Sequence, residues 1–239
     1  MGGGARSDSR PPSLALWLSE PLALPKIAAA PYRKAVPTLA DGHGLPTIVL
    51  PGMASGDGST ALLRKSLGAA GFEPYASAFK SNLTMSPAKF EQVSALLDRA
   101  VNETGKPAVL VGWSLGGFYA RVLAQRYPEK TAMVATLGTP FSGDRRANNA
   151  WRIYEMLADH KVDAPPLPDD PAIKPAAHTI AFWSPIDGIV APASARGRDE
   201  ERDEAIELPF RHFELGCSRR SVRMIVETLG ERVARLGLA

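Results

Sequence analysis

From residue 45 onward, short apolar and β-branched runs alternate with segments whose apolar positions repeat with the period of an α-helix. Several of these runs are apolar throughout, which is typical of strands that are covered on both faces. The predicted strands are residues 47–50, 74–78, 108–112, 133–137, 179–183 and 205–208. This alternation predicts an α/β fold, with a mostly parallel central sheet and helices on both of its faces.

Two of the intervening helices have recognisable ends in the sequence. Pro87 follows Ser86 as the first helical residue after an N-cap, and Gly105 is suited to end the same helix. A last helix begins near Arg219, carries apolar residues on one face, and ends at Gly237. Both helices are expected to pack against the sheet.

The pattern before residue 45 is different. Residues 1–13 are small, polar and rich in proline, which predicts a mobile leader. Residues 14–44 contain an apolar patch at 14–27, which Pro21 and Pro25 interrupt, so one long helix is excluded. We interpret residues 1–44 as a leader and a strap packed on the main domain; the alternative is that the patch contacts lipid or a partner.

Residues 45–239 are then one domain, and residues 142–177 are an insertion within it. In this insertion the strand–helix alternation stops, and a single helix around residues 149–159 is followed by a loop with five prolines. We interpret the insertion as a small helical lid.

Composition narrows the possible functions. The 239 residues suit a single α/β domain, and 45% hydrophobic with 22% charged residues is ordinary for a globular protein. The 28 Lys and Arg exceed the 25 Asp and Glu only slightly and are scattered, so nucleic acid is not an expected partner. The single cysteine, Cys217, cannot form an internal disulfide, and no secretory or membrane-spanning pattern is visible. A cytoplasmic location is expected, with peripheral membrane contact through residues 14–27 as a possibility.

The strongest chemical motif is Gly112-Trp113-Ser114-Leu115-Gly116, directly between a predicted strand and a predicted helix. A serine on such a sharp turn has an exposed hydroxyl, and the nearby glycines leave room for neighbouring strands. Ser114 is therefore the predicted nucleophile.

A serine hydroxyl needs a base, and the base needs an acid that orients it. In this fold class both follow the serine, in the order acid and then histidine. His212 lies in a loop between the last strand and the last helix, unlike the other histidines, and is the predicted base. Asp187 follows the fifth strand in a turn with Gly188 and is the predicted acid, in preference to Asp169 and Asp170 in the proline-rich loop.

An oxyanion hole is predicted from two backbone N–H groups. Leu115 follows the nucleophile, and Met53 follows Gly52 in the loop after the first strand. Four aromatic residues are candidates to line a substrate channel near the lid: Trp113, Phe141, Trp151 and Tyr154.

From about residue 45 to its end the chain resembles the α/β-hydrolase superfamily, and more narrowly its bacterial esterase and lipase-like members with a short lid. The resemblance rests on residues 51–53, 112–117, 137–141 and 184–190 and on His212. It implies hydrolysis of carboxylic esters through an acyl-enzyme, without metal or cofactor. Two departures are Pro51, where a histidine is common, and the bulky residues 213–215 after His212.

Two other functions use the same features. An acyltransferase would pass the acyl group from Ser114 to an alcohol or thiol instead of water. A non-catalytic member of the fold would bind a lipid-like ligand or a protein. A small-molecule ester or lipid is the expected partner of the first interpretation.

Overall fold

The structure, a computed structural model, describes residues 10–144, 146, 148–149, 151–157 and 166–238. The predicted leader up to residue 9 and the part of the predicted lid at 158–165 lie outside these residues.

Six strands of the described chain form one sheet, and all of their pairings are parallel. The order across the sheet is β2-β1-β3-β4-β5-β6. The strands are β1 Pro46–Leu50, β2 Glu73–Ala76, β3 Ala108–Trp113, β4 Thr131–Leu137, β5 His178–Trp183 and β6 Glu204–Glu207. The predicted fold class is confirmed, and the strand ends differ from the predicted ones by at most two residues.

Helices cover both faces of this sheet. The α-helices are α1 Leu14–Ser19, α2 Leu24–Ala29, α3 Ala61–Ala69, α4 Pro87–Thr104, α5 Leu115–Arg126, α6 Trp151–Leu157, α7 Pro192–Arg196 and α8 Arg219–Arg235. Short 3₁₀ helices lie at Glu20–Ala23, Ala30–Tyr32, Pro128–Lys130, Asp199–Glu201 and His212–Glu214. On one face α3 and α8 form a core with alternate strand residues, and on the other face α4 and α5 do the same.

Helix α4 illustrates why the sequence forms these elements. The hydroxyl of Ser86 accepts a hydrogen bond from the backbone N–H of Lys89, and Pro87 occupies the first helical position. Gly105 ends the helix in the left-handed conformation, at φ 68°. The sequence predicts both the start of this helix after Ser86 and its end at Gly105.

Residues 14–32 form four short helical turns in succession, as the prolines of this segment require. Ala23 and Ala30 are fully buried against the domain, whereas Leu14, Leu18 and Leu22 are more than half exposed. Ile27 packs partly against the same core, so the large apolar side chains of this segment are divided between the domain and the solvent.

None of the helices in the described ranges combines the length and the apolar character that a membrane span requires.

Candidate active site

Ser114 lies at the sharp turn between β3 and α5. Its backbone is at φ 51° and ψ −116°, a conformation that few residues other than glycine adopt. Its backbone N–H donates to the carbonyl of Leu137 at 2.8 Å, which ties the turn to the end of β4. The side chain is partly exposed at the carboxyl edge of the sheet, where ligands bind in α/β folds.

Three glycines allow this turn to form. A Cβ on Gly112 would lie 2.3 Å from the Cα of Gly117, and one on Gly116 would lie 2.3 Å from the carbonyl oxygen of Leu50. A Cβ on Gly117 would lie 2.0 Å from the hydroxyl of Thr139. Gly112 and Gly116 each bring two backbones closer than any other residue allows, and Gly117 leaves room for the side chain of Thr139.

Asp187 lies in the loop after β5 and is 1% exposed. Its Oδ1 accepts hydrogen bonds from the backbone N–H groups of Ile189 and Val190, both at 2.8 Å. Its Oδ2 lies 2.7 Å from Nδ1 of His212. One oxygen of Asp187 thus caps the backbone of its own turn, and the other oxygen is left for the histidine.

His212 begins the short helical turn before α8 and is 3% exposed. Burial disfavours the imidazolium, but the charge and the hydrogen bond of Asp187 outweigh burial, and the charge of Glu20 adds to them. The net result is that the pKa of His212 is raised above its ordinary value. Because Nδ1 faces Asp187, Nε2 is the nitrogen available for proton transfer.

Two contacts connect the histidine to the serine turn. The indole N–H of Trp113 donates to the backbone carbonyl of His212 at 3.2 Å. Gly138, which follows the Leu137 carbonyl that binds Ser114, faces the acid and the base: a Cβ here would lie 3.0 Å from Nδ1 of His212 and 3.2 Å from Oδ2 of Asp187. The ends of β3 and β4 and the two loops therefore meet around the serine.

The two predicted oxyanion residues lie beside this turn. Leu115 is the first residue of α5, where a backbone N–H has no acceptor within the helix. The loop before Met53 passes against the serine, since a Cβ on Gly52 would lie 3.4 Å from Cβ of Ser114. Both Met53 and Leu115 line the cavity that opens at Ser114.

That cavity has an empty volume of about 830 Å³, part of it open to solvent. Its polar lining residues are Ser114, Asn148 and Asp169. Its other lining residues are apolar or aromatic: Met53, Met85, Leu115, Phe118, Val122, Pro140, Trp151, Tyr154, Leu167, Pro171, Ile189 and Val190. Such a mostly apolar cavity suits a largely apolar ligand with a polar group at Ser114.

The four aromatic candidates fall into two pairs. Trp151 and Tyr154, both on α6, line the cavity. Trp113 and Phe141 do not line it. Trp113 is 4% exposed and packs under the His212 loop, and Phe141 is 4% exposed beneath the guanidinium of Arg121, at 4.0 Å. Both side chains point into the core instead of the cavity. There Trp113 contacts the His212 loop, and Phe141 contacts Arg121.

Two residues near the site belong to no recognisable motif in the sequence. Asn82 is fully buried; its amide donates to the Pro51 carbonyl at 2.8 Å, and its backbone N–H donates to the Ser55 carbonyl at 2.8 Å. It thereby holds the predicted oxyanion loop, although it lies some thirty residues away.

Glu20, in the N-terminal strap, reaches the loops of Asp187 and His212. A charge inside an apolar stretch is the one signal in the sequence that pointed to it.

The chain is similar to known proteins in sequence and in structure. A family model described as "alpha/beta hydrolase fold" matches residues 23–164, which is more than half of the chain. Among curated proteins, none matches the sequence.

Solved structures resemble this one at low sequence identity. A monoacylglycerol lipase from Paleococcus ferrophilus is 18% identical with a TM-score of 0.57, over 81% of this chain and 96% of that one. A lipase-esterase related protein from Clostridium acetobutylicum is 13% identical with a TM-score of 0.56, over 79% and 95% of the two chains. A thioesterase domain from a curacin biosynthetic pathway is 13% identical with a TM-score of 0.52, over 76% and 90%. At these identities the likeness establishes the fold.

Proposed function

Because the chain belongs to the α/β-hydrolase family, we propose that it is a serine hydrolase that cleaves carboxylic esters through an acyl-enzyme on Ser114. The observation that carries the proposal is the buried contact of 2.7 Å between His212 and Asp187, beside the strained turn of Ser114. A binding protein would gain nothing from a backbone strained at a serine.

In the proposed mechanism, Oγ of Ser114 attacks the carbonyl carbon of the ester while Nε2 of His212 takes the hydroxyl proton. Asp187 stabilises the imidazolium that results. The negative charge on the former carbonyl oxygen is stabilised by the N–H groups of Met53 and Leu115.

Collapse of this intermediate breaks the bond to the alcohol, which leaves with the proton held by His212. The acyl group stays on Ser114. Water then attacks the acyl carbon and gives one proton to His212, a second tetrahedral intermediate forms, and its collapse releases the carboxylic acid and returns the proton to Ser114.

The apolar lining of the cavity supports an acyl group of medium or greater length as the substrate's larger part. The ester carbonyl would lie at Ser114, and the acyl chain would lie among the apolar residues of α5 and α6. Burial of each methylene in such a lining contributes about 0.8 kcal/mol.

Hydrolysis of p-nitrophenyl esters from acetate to palmitate tests this proposal, with wild type, Ser114→Ala and His212→Ala compared as folded proteins. We expect wild-type activity that both substitutions abolish. Wild-type rates in Ser114→Ala would refute the proposed nucleophile. Addition of competing alcohols and thiols, with product analysis, distinguishes hydrolysis from acyl transfer.

We further propose that the exposed leucines of the strap contact a lipid surface. Leu14, Leu18 and Leu22 are 67%, 61% and 69% exposed. Arg33 and Lys34 of the same segment line a basic surface cavity together with Arg219 and Arg220, which favours an anionic bilayer. Co-sedimentation with anionic and neutral vesicles tests this: replacing the three leucines by serine should abolish binding to anionic vesicles. Equal binding before and after the substitutions would contradict it.

A further inference from the structure

Glu20 is a buried carboxylate in a segment whose neighbouring side chains are largely exposed. It is 1% exposed, while Pro21 and Leu22 beside it face solvent. Taking a carboxylate out of water costs several kcal/mol unless hydrogen bonds compensate for the lost hydration. The chain therefore holds this side chain in place with specific partners.

Those partners are three backbone N–H groups of the domain. Oε1 of Glu20 accepts from Gly188 at 2.8 Å and from His212 at 2.9 Å, and Oε2 accepts from Phe213 at 3.0 Å. Hydrogen bonds to an ionised acceptor are about twice as strong as neutral ones.

The three donors belong to two different loops. Gly188 follows Asp187 directly, and His212 is the predicted base itself. One carboxylate from residue 20 therefore joins the loop of the acid to the loop of the base through backbone N–H groups, while the ring of His212 contacts Asp187.

The close approach of the strap to the acid loop is built into the sequence. A Cβ on Gly188 would lie 2.5 Å from the carbonyl oxygen of Leu16 and 2.9 Å from Cγ of Glu20. Glycine at this position is what allows Glu20 to reach the loop.

The charge of Glu20 also acts on the histidine. It raises the pKa of His212 in addition to the larger contribution of Asp187, against the opposing effect of burial. Further charged side chains lie on the strap and on the His212 loop, and three of them are joined by ion pairs. The carboxylate of Glu214 in the loop forms ion pairs with Lys26 of the strap and with Arg211 of the loop.

We propose that Glu20 is a positioning residue for the predicted catalytic base, fixing the His212 loop relative to the Asp187 loop from the N-terminal strap. The inference rests on the proposed function, because it assigns Glu20 a role in that reaction. It predicts that removal of the strap carboxylate reduces catalysis even though Glu20 contacts no substrate.

The test compares Glu20→Gln and Glu20→Asp with the control Lys65→Met. Glutamine keeps the shape of the side chain, removes its charge and directs an NH₂ group at one of the three donors. Aspartate keeps the charge but is one methylene too short to reach both loops. Lys65 anchors the strap elsewhere, through the carbonyls of Pro31 and Arg33 at 2.6 and 3.3 Å, so its replacement loosens the strap without touching either loop.

We expect Glu20→Gln to lower kcat by roughly ten- to a hundredfold with KM within about twofold, the scale of a catalytic group misplaced by a fraction of an ångström. The acidic limb of the pH profile of kcat/KM should move to lower pH. Without the charge of Glu20 the pKa of His212 is lower, so His212 stays neutral down to a lower pH. Glu20→Asp should lose kcat but keep the acidic limb of wild type. Lys65→Met should match wild type in both.

A purely structural strap gives a different result: Glu20→Gln and Lys65→Met would both lower the melting temperature, and neither would change kcat or the pH profile. That result would overturn the proposal. If Glu20→Gln fails to fold, Glu20→Asp decides: wild-type kcat in that variant would also overturn it.

A second measurement separates this inference from the proposed function. Titration of the His212 ring by NMR, in a Ser114→Ala background with and without Glu20→Gln, needs no substrate. A wild-type protein that hydrolyses no ester refutes the proposed function. The Glu20 inference then depends on the titration: a lower pKa of His212 in Glu20→Gln supports it, and an unchanged pKa overturns it.

Discussion

At the scale of single residues, the two carboxylate oxygens of Asp187 make different contacts. Oδ1 holds the turn through two backbone N–H groups, and Oδ2 contacts His212. Asp187→Asn should keep the turn but place an amide against Nδ1, which favours the wrong tautomer of the base. We expect kcat to fall by roughly 10³–10⁴-fold. Asp199→Asn, at a side chain that is 94% exposed, is the matched control and should retain wild-type kcat.

The raised pKa of His212 predicts the pH dependence of the proposed reaction. The base must be neutral to accept the proton of Ser114, so kcat/KM falls as pH decreases through the pKa of His212. Since that pKa is raised, the midpoint of the acidic limb should lie above 6.5, the ordinary value for histidine. A pH profile of kcat/KM on a soluble ester measures it. A midpoint below 6.5 would contradict the electrostatic role of Asp187.

Gly138 carries a further prediction, because it has both a positive φ of 58° and neighbours that leave no space. Gly138→Ala should displace His212 and Asp187 and reduce kcat at least tenfold, with a loss of about 1–3 kcal/mol in the free energy of unfolding. Gly105→Ala is the matched control: its φ is 68°, but no atom lies within 4 Å of the added Cβ. It should lose about 1–2 kcal/mol of stability and keep its activity. Equal activity losses in both variants would contradict the steric argument.

At the scale of elements, the sequence was sufficient to predict the sheet and the helices with clear caps. Apolar strands and residues such as Ser86 and Gly105 are local signals, and the structure confirms them. The sequence was less informative for the insertion. It predicts a helix around residues 149–159, and the structure has a helix over Trp151–Leu157. The boundaries of the lid and of the strap stay predictions.

The parts of the site that the sequence did not reveal depend on contacts between distant segments. Glu20 meets His212 across 192 positions, and Asn82 meets Pro51 across 31. No spacing rule connects such pairs, since each contact depends on how distant segments pack in the folded chain. Trp113 and Phe141 illustrate a different limit of the sequence. An aromatic residue beside a motif is a reasonable candidate for a substrate channel, but packing decides the direction in which its side chain points, and both of these side chains are buried away from the cavity.

At the scale of the whole molecule, the sheet edge, α5 and α6 enclose a cavity whose lining is apolar or aromatic apart from Ser114, Asn148 and Asp169. Val122 lines this cavity from α5 and is 1% exposed. Val122→Phe should fill part of the space and shift the preferred p-nitrophenyl ester toward shorter chains. Each methylene excluded from the cavity should cost the longer esters about 0.8 kcal/mol in kcat/KM, or roughly fourfold. An unchanged preference would place the acyl chain elsewhere.

The proposed function depends on Ser114 being a nucleophile that His212 activates, and covalent labelling is the most direct test of this role. Folded wild type would be incubated with a fluorophosphonate, and the modified peptide identified by mass spectrometry. We predict one adduct, on Ser114, that is lost in Ser114→Ala and forms far more slowly in His212→Ala. A folded wild-type protein that is not labelled at Ser114, or is labelled equally fast without His212, would contradict the account.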